Sequence, residues 1–265
     1  MKISMWQIIK IELMKFLRRR DIFAVFAIVA MTFIYAVGMR DESFKGTENQ
    51  NALLWLVVQL LTSTVLFIGP VVCAFVGTQM LSSEIDNRSI SLFTVRIRNR
   101  KKLYLAKSIS LIIISAIFFA FTIIVLMGVY TWIASSGSKF VSGTLTGNNV
   151  SSLLCMGLMV FLYTYFLIPQ FTLFVGIKLK PLMAIVAAFA LTVVCNHVLT
   201  YTFIKYINPM SYIYSLAYEV LETTDVVTLE PGFVLKTVVG QVFVSIMYFT
   251  LLTIKGMKDF ARKEF

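Results

Sequence analysis

The densest cluster of reactive side chains in this 265-residue chain is the segment 82–107, SSEIDNRSISLFTVRIRNRKKLYLAK. It opens on two carboxylates, Glu84 and Asp86, runs through an apolar stripe at Ile90, Phe93 and Ile97, and closes on cations from Arg96 to Lys107. Acidic residues at the start of a short helix and cations at its end suit the helix dipole. Two uses fit these residues: a helix that docks in the groove of a soluble partner, or a stop-transfer loop whose cations only hold the topology. Nucleotide chemistry is missing, because G-x-x-x-x-G-K-S/T occurs nowhere and there is no backbone cradle or lysine for a triphosphate. The chain is therefore not read as an enzyme. One histidine, His197, argues against a metal or histidine-based site. Cys73, Cys155 and Cys195 are odd in number and sit in apolar runs, which suggests packing and not disulfides.

The elements that must position this segment are set by composition. Hydrophobic residues make up 58% of the chain and charged ones 14%, against about 45–50% and about 25% in ordinary soluble domains. The apolar residues fall into six runs, 22–39, 52–81, 108–134, 153–177, 182–204 and 233–254, which hold no Asp, Glu, Lys or Arg apart from Lys236 near the start of the last. Each reaches the 18 or so residues that cross about 30 Å of hydrocarbon. The second run contains Gly69-Pro70 and reads as one long helix bent where Pro70 lacks its amide donor. The first run is preceded by 21 residues, long for a signal-peptide n-region, so Ala36-Val37-Gly38 is not taken as a cleavage site.

Orientation follows from the cations. Residues 1–21, 82–107, 178–180 and 255–265 together hold nineteen of the 24 Lys and Arg residues. By the positive-inside rule both termini are expected in the cytoplasm, and the net charge of +11 then needs only anionic lipid, not nucleic acid, to explain it. Inside the runs, the polar residues Gln59, Thr62 and Ser63, and Asn196 with His197, are candidates to line a path. Each serves equally well as an interhelical hydrogen bond worth about 1 kcal/mol. Gln170, beside Pro169, is expected to cap the carbonyl that the proline frees.

Residues 1–21 predict an amphipathic helix in the inner headgroup region, with Trp6, Ile9, Leu13, Met14, Phe16 and Leu17 on one arc and Glu12, Lys15, Arg18 and Arg19 opposite. Residues 40–51 and 135–152 read as polar outer loops. The outer segment 205–232 opens on Asn208-Pro209 and is rich in Tyr, predicting a short helix at the outer interface followed by an acidic edge at Glu219, Glu222, Asp225 and Glu230. With no internal repeat and no linker, residues 1–265 form a single transmembrane domain.

The segment 82–107 resembles the conserved stretch of ABC type-2 exporter permeases, E-x-E/D-x-G-T-L leading through a short coupling helix to P-x-S-R, an apolar run and a lysine. Glu84 and Asp86 match the acidic pair, Ser89-Ile90 the T-L, Arg100 the arginine, and Leu103 to Lys107 the run into the third span. Arg88 stands where glycine is usual and Arg96 near the usual proline. The basic leader IKIELMKFLRRRD, the six-span layout and NPMSYIYSLAYEV at 208–220 are similar to the same family.

That resemblance implies an all-α membrane protein with six transmembrane helices, both termini cytoplasmic, an N-terminal interfacial helix and a short coupling helix between spans 2 and 3. It implies two ABC ATPase subunits that carry ATP and Mg, a second permease copy or paralogue, and no cofactor on this chain. ATP-driven closure would be transmitted by Glu84, Asp86, Arg88, Phe93 and Arg96. A bacterial cytoplasmic membrane and a hydrophobic or amphipathic cargo are expected, with the bacitracin-resistance and lantibiotic-immunity branches the most similar. The rival readings are a stand-alone secondary transporter or channel, which needs intramembrane charge, and a membrane-embedded enzyme, which needs clustered His, Asp or Glu at one face.

Overall fold

The computed structural model describes residues 4–19, 23–40, 52–66, 68–97, 99–135, 147–199, 204–222 and 231–263. Among them the chain is helical and carries no strand. Helices α1 (Met5–Leu17) and α2 (Val25–Arg40) are followed by α3 (Ala52–Leu60), a π-helical segment Leu61–Leu66, and α4 (Ile68–Met80). Two short helices, α5 (Ser82–Asp86) and α6 (Ile90–Arg96), lead into the long α7 (Arg100–Ser135). Then come α8 (Gly147–Val160), a second π segment Phe161–Leu167, α9 (Ile168–Val175) and α10 (Pro181–His197). The turn Ile204–Tyr206, α11 (Pro209–Glu222) and α12 (Pro231–Arg262) complete the order. Most of the two polar loops, together with Tyr201, Asp225 and Glu230, lies outside the described residues.

Each apolar run coincides with a helix or a helical pair. Among the described residues three helices are long and apolar enough to cross a membrane, Arg100–Ile133, Val150–Val175 and Gly232–Arg262, and the pair Leu56–Leu66 and Ile68–Met80, bent by 43°, makes a fourth when counted as one span. The 16 residues of α2 and 17 of α10 fall short of a straight crossing of about 20 residues. The cationic stretch from Arg100 to Lys107 is not loop, since it forms the first two turns of α7.

Both π segments precede a proline, Pro70 and Pro169. Proline leaves a carbonyl without its amide partner, and a local widening of the ladder redistributes the bonds. After the second π segment the Ile168 amide reaches the Tyr163 carbonyl, five residues back. In the first, the Thr62 hydroxyl donates to the Val58 carbonyl at 2.8 Å and that of Thr64 to the Leu60 carbonyl. Gly69 is required there because a Cβ would overlap the Thr64 carbonyl.

The core pair is α4 on α9, with α10 laid along α4, and with α1 and α12 laid along α7. Gly77 permits the α4–α9 approach: a Cβ would meet the Thr172 hydroxyl and come within 2.7 Å of the Pro169 carbonyl oxygen. Small residues serve this purpose where lipid is the solvent and close backbone packing drives association. The outside of the bundle agrees. On α12 Leu235, Val239, Phe243, Ile246 and Ile254 are exposed, while Thr237, Gln241, Ser245 and Thr253 are buried. A polar face turned in and an apolar face turned out is the reverse of a soluble amphipathic helix.

α11 departs from expectation. Asn208 caps it, its Oδ1 accepting from the Met210 amide at 3.1 Å while its Nδ2 donates to the Cys195 carbonyl at 2.7 Å. The helix does not rest on the surface alone: Met210, Ile213, Leu216 and Ala217 are buried against α12, α8 and α3, while Tyr218 and Glu219 are exposed. Gln170 also departs: it accepts from the Ser108 hydroxyl at 2.7 Å and donates to that of Thr253 at 3.1 Å, joining α7, α9 and α12 instead of capping a carbonyl.

Candidate functional site

Five charged side chains from three separated stretches meet where α1, α5 and the start of α7 converge. The Lys107 ammonium donates to Glu12 Oε1, Glu84 Oε2 and the Met80 carbonyl, each at 2.9 Å. These three bonds use all the donors an ammonium has, and Lys107 is fully buried. The second Glu84 oxygen accepts from Lys15 and, at 3.4 Å, from Arg19 Nη2. Arg19 also reaches the Gln79 carbonyl at 2.8 Å through Nη1. The Phe93 ring lies beneath the Lys15 ammonium, 4.4 Å from Nζ to its centroid, a cation–π contact. Three cations against two carboxylates do not suit a metal ion. The arrangement acts mechanically, clamping α5 and α6 to α1 and α7.

Local sequence explains how each group arrives. α1 starts on a capping box, with the Ser4 hydroxyl accepting from the Gln7 amide and the Gln7 side chain accepting from the Ser4 amide. Its inward face is Ile8, Ile9, Glu12 and Phe16, spaced as neighbours on one side of a helix, and Phe16 packs on Phe118 of α7 at 5.8 Å between ring centres. Burial alone would raise the Glu84 carboxyl, but Lys107 and Lys15 outweigh it and hold it below the usual carboxylate range.

The arc expected on α1 is corrected. Ile9 and Phe16 are buried, while Trp6, Met14 and Leu17 are exposed. Glu12, expected on the polar side, faces the bundle together with Ile8, because Glu12 finds its cation on α7.

Further contacts gather the remaining basic segments at this same end. The Ser82 hydroxyl donates to the Leu179 carbonyl at 2.9 Å, Lys178 pairs with Asp259 at 3.3 Å, and Arg100 donates to the Lys263 carbonyl at 2.5 Å. The described residues of 4–19 and 82–107, the turn at 176–180 and the end of α12 therefore sit together.

The residues expected to transmit ATPase motion are divided. Glu84 is buried and Phe93 half-buried within the clamp, while Asp86 and Arg88 are exposed on the turn between α5 and α6. The Arg96 side chain lies outside the described residues. The stripe expected to enter a partner's groove turns inward, with Ile90 buried and Ile97 half-buried. Arg88 has φ of 56°, the left-handed region that favours glycine, at the position where it replaces the glycine of the resembling motif.

The path residues form no single constellation. Gln59 is buried, Thr62 bonds its own helix, and the Ser63 side chain lies outside the described residues. Asn196 and His197, half-buried and exposed, stand at the far end of α10, which packs along α4 and α9. Glu12, Lys15, Arg19 and Lys107 went unselected as site residues. A signal existed in Glu12, the one acid amid the basic residues 2–20, and in Lys107, the last charge before a long apolar run.

A family model described as ABC-2 family transporter protein matches residues 8–196. No curated protein and no solved structure matches the chain. The match takes in α1, the clamp and the helices through the end of α10, and its extent is decisive: the chain belongs to the ABC-2 transporter family, as a multi-pass membrane permease component of an ABC transporter and not the ATPase.

Proposed function

We propose that this chain is the membrane half of an ATP-driven exporter and that a separate ATPase engages the exposed turn Asp86–Arg88. The observation that carries this reading is the clamp. Glu84 ties the turn to Lys107 of α7 and, through Lys15 and Arg19, to α1, so a push on the turn reaches α7 directly. Glu84 and Phe93 act from inside as positioning groups, Asp86 and Arg88 from the surface, and Arg96 at the end of α6.

Six crossings with both termini in the cytoplasm fit the same contacts. The described residues of 4–19 and 82–107 share one end of the bundle, which supports α2 and the bent α3–α4 helix running out and back. The turn at 176–180 and the end of α12 share that end too, which supports the same path for α7 with α8–α9 and for α10 with α12. Nineteen of 24 cations belong to these segments, which supports a cytoplasmic face. Residues 1–265 act as one domain, with Trp6, Met14 and Leu17 of α1 toward lipid.

The working unit is two permeases, identical or paralogous, with two ATPase subunits that hold ATP and Mg, in a bacterial cytoplasmic membrane. The cargo is hydrophobic or amphipathic, best an antimicrobial or toxin peptide as in the bacitracin-resistance and lantibiotic-immunity branches. Gln59, Thr62, Ser63, Asn196 and His197 are its path candidates. The test is affinity purification of the solubilised protein from its native host, with mass spectrometry and an ATPase assay of the eluate. A co-eluting ABC ATPase is expected; a permease that purifies alone and transports without ATP overturns the reading.

A further inference from the structure

At the end of the bundle away from Glu84, the start of the first π segment, the turn after α10 and α11 line an open cleft of about 420 Å³. Leu61 and Leu199 supply apolar wall, Ser211 and Tyr214 supply hydroxyls, and Lys205 supplies a cation. Among the described residues no carboxylate lines it. Ser211 is 3% exposed and its hydroxyl has no hydrogen-bond partner. Neighbouring hydroxyls are satisfied within the chain: that of Ser215 donates to the Ser211 carbonyl at 2.8 Å and that of Tyr212 to the Tyr206 carbonyl at 2.9 Å. A buried hydroxyl left unpaired is unfavourable, and its cost is relieved by a ligand that brings an acceptor.

We propose that this cleft binds the anionic headgroup of an amphiphile. The headgroup oxygens take the Ser211 hydroxyl and the Lys205 ammonium, and the chain lies along Leu61 and Leu199. The donors all favour negative charge, and a charge-assisted hydrogen bond is about twice as strong as a neutral one. Exposed Tyr206 and Tyr218 flank this end as aromatic residues do at headgroup level. The site deepens the exporter reading by naming the charge of a bound amphiphile, and rests on it only in taking lipid as the surrounding solvent.

The test uses the full chain in a neutral maltoside detergent without any ATPase, so its outcome is independent of the co-purification above. Dodecyl phosphate, dodecylphosphocholine and inorganic phosphate are titrated separately, with native mass spectrometry and thermal melting as readouts. One dodecyl phosphate per chain is expected, weakened about tenfold by Lys205→Gln, the loss of one charge-assisted bond, and several-fold by Ser211→Ala. Lys205 is exposed, so its substitution leaves the fold intact and keeps the test decisive. Equal binding of dodecylphosphocholine, equal protection by inorganic phosphate, or indifference to Lys205→Gln would each overturn the site.

Discussion

Glu12 and Glu84 accept hydrogen bonds from one and the same ammonium, that of Lys107, each at 2.9 Å. Neither carboxylate is near the other in sequence, and both are buried. Removing the shared cation leaves two buried carboxylates short of positive charge, since Glu12 loses the Lys107 ammonium and Glu84 keeps only Lys15 and Arg19. Lys107→Met should therefore cost about 3–5 kcal/mol, read as a lowered melting temperature in detergent. Adding Glu12→Gln and Glu84→Gln should recover much of that loss, since the stranded charges go with them. Additive losses across the three substitutions would show that the groups do not act as a unit.

The same cluster fixes a pH response. Glu84 is held below the ordinary carboxylate value of about 4.3, so its contribution is fully present above that value and is lost only as pH falls through the lower folded one. The attachment of α1 should persist at pH 5 and loosen below pH 4. Fluorescence of an environment-sensitive label at position 6 reports it, and detachment between pH 5 and 6 would mean that Glu84 is not ion-paired.

Much of the fold was legible because span length and proline chemistry are local properties. The six runs, the bend near Pro70 and the helix that follows Asn208-Pro209 are all encoded within a few residues of where they act. The clamp was not legible, because Glu12 meets Lys107 across 95 positions and a helical wheel shows only which residues share a side. Gln170 illustrates the same limit: next to Pro169 it reads as a cap, yet its partners Ser108 and Thr253 lie on other helices. The inward turn of Ile90 was hidden for a related reason. An apolar stripe on a short helix does not say whether its own chain or a partner covers it.

Arg88 sits at φ 56°, where a side chain is disfavoured and glycine is not. Arg88→Gly should leave the turn intact and raise stability by roughly 1 kcal/mol, while the β-branched Arg88→Val should lower it. Thermal melts of the two variants decide the matter, and an Arg88→Gly chain less stable than Arg88→Val would contradict the left-handed turn.

Gly77 and Gly128 offer a paired comparison. A Cβ at Gly77 meets Thr172 and Pro169 of the adjoining helix, whereas one at Gly128 meets nothing within 4 Å. Gly77→Ala should lower the melting temperature and the folded yield, and Gly128→Ala should raise stability by about 0.5–1 kcal/mol through helix propensity. Equal effects at the two positions would remove the case for close α4–α9 packing.

The proposed ATPase contact is tested most directly by photo-cross-linking in membranes of the native host. A photoreactive residue at position 87, exposed between Asp86 and Arg88, is compared with one at position 218, exposed at the opposite end. Cross-linking to an ABC ATPase from position 87 and not from position 218, lost on Glu84→Ala, is the expected result. An ATPase captured from position 218 alone, or from neither position, would contradict both the coupling surface and the orientation of the chain.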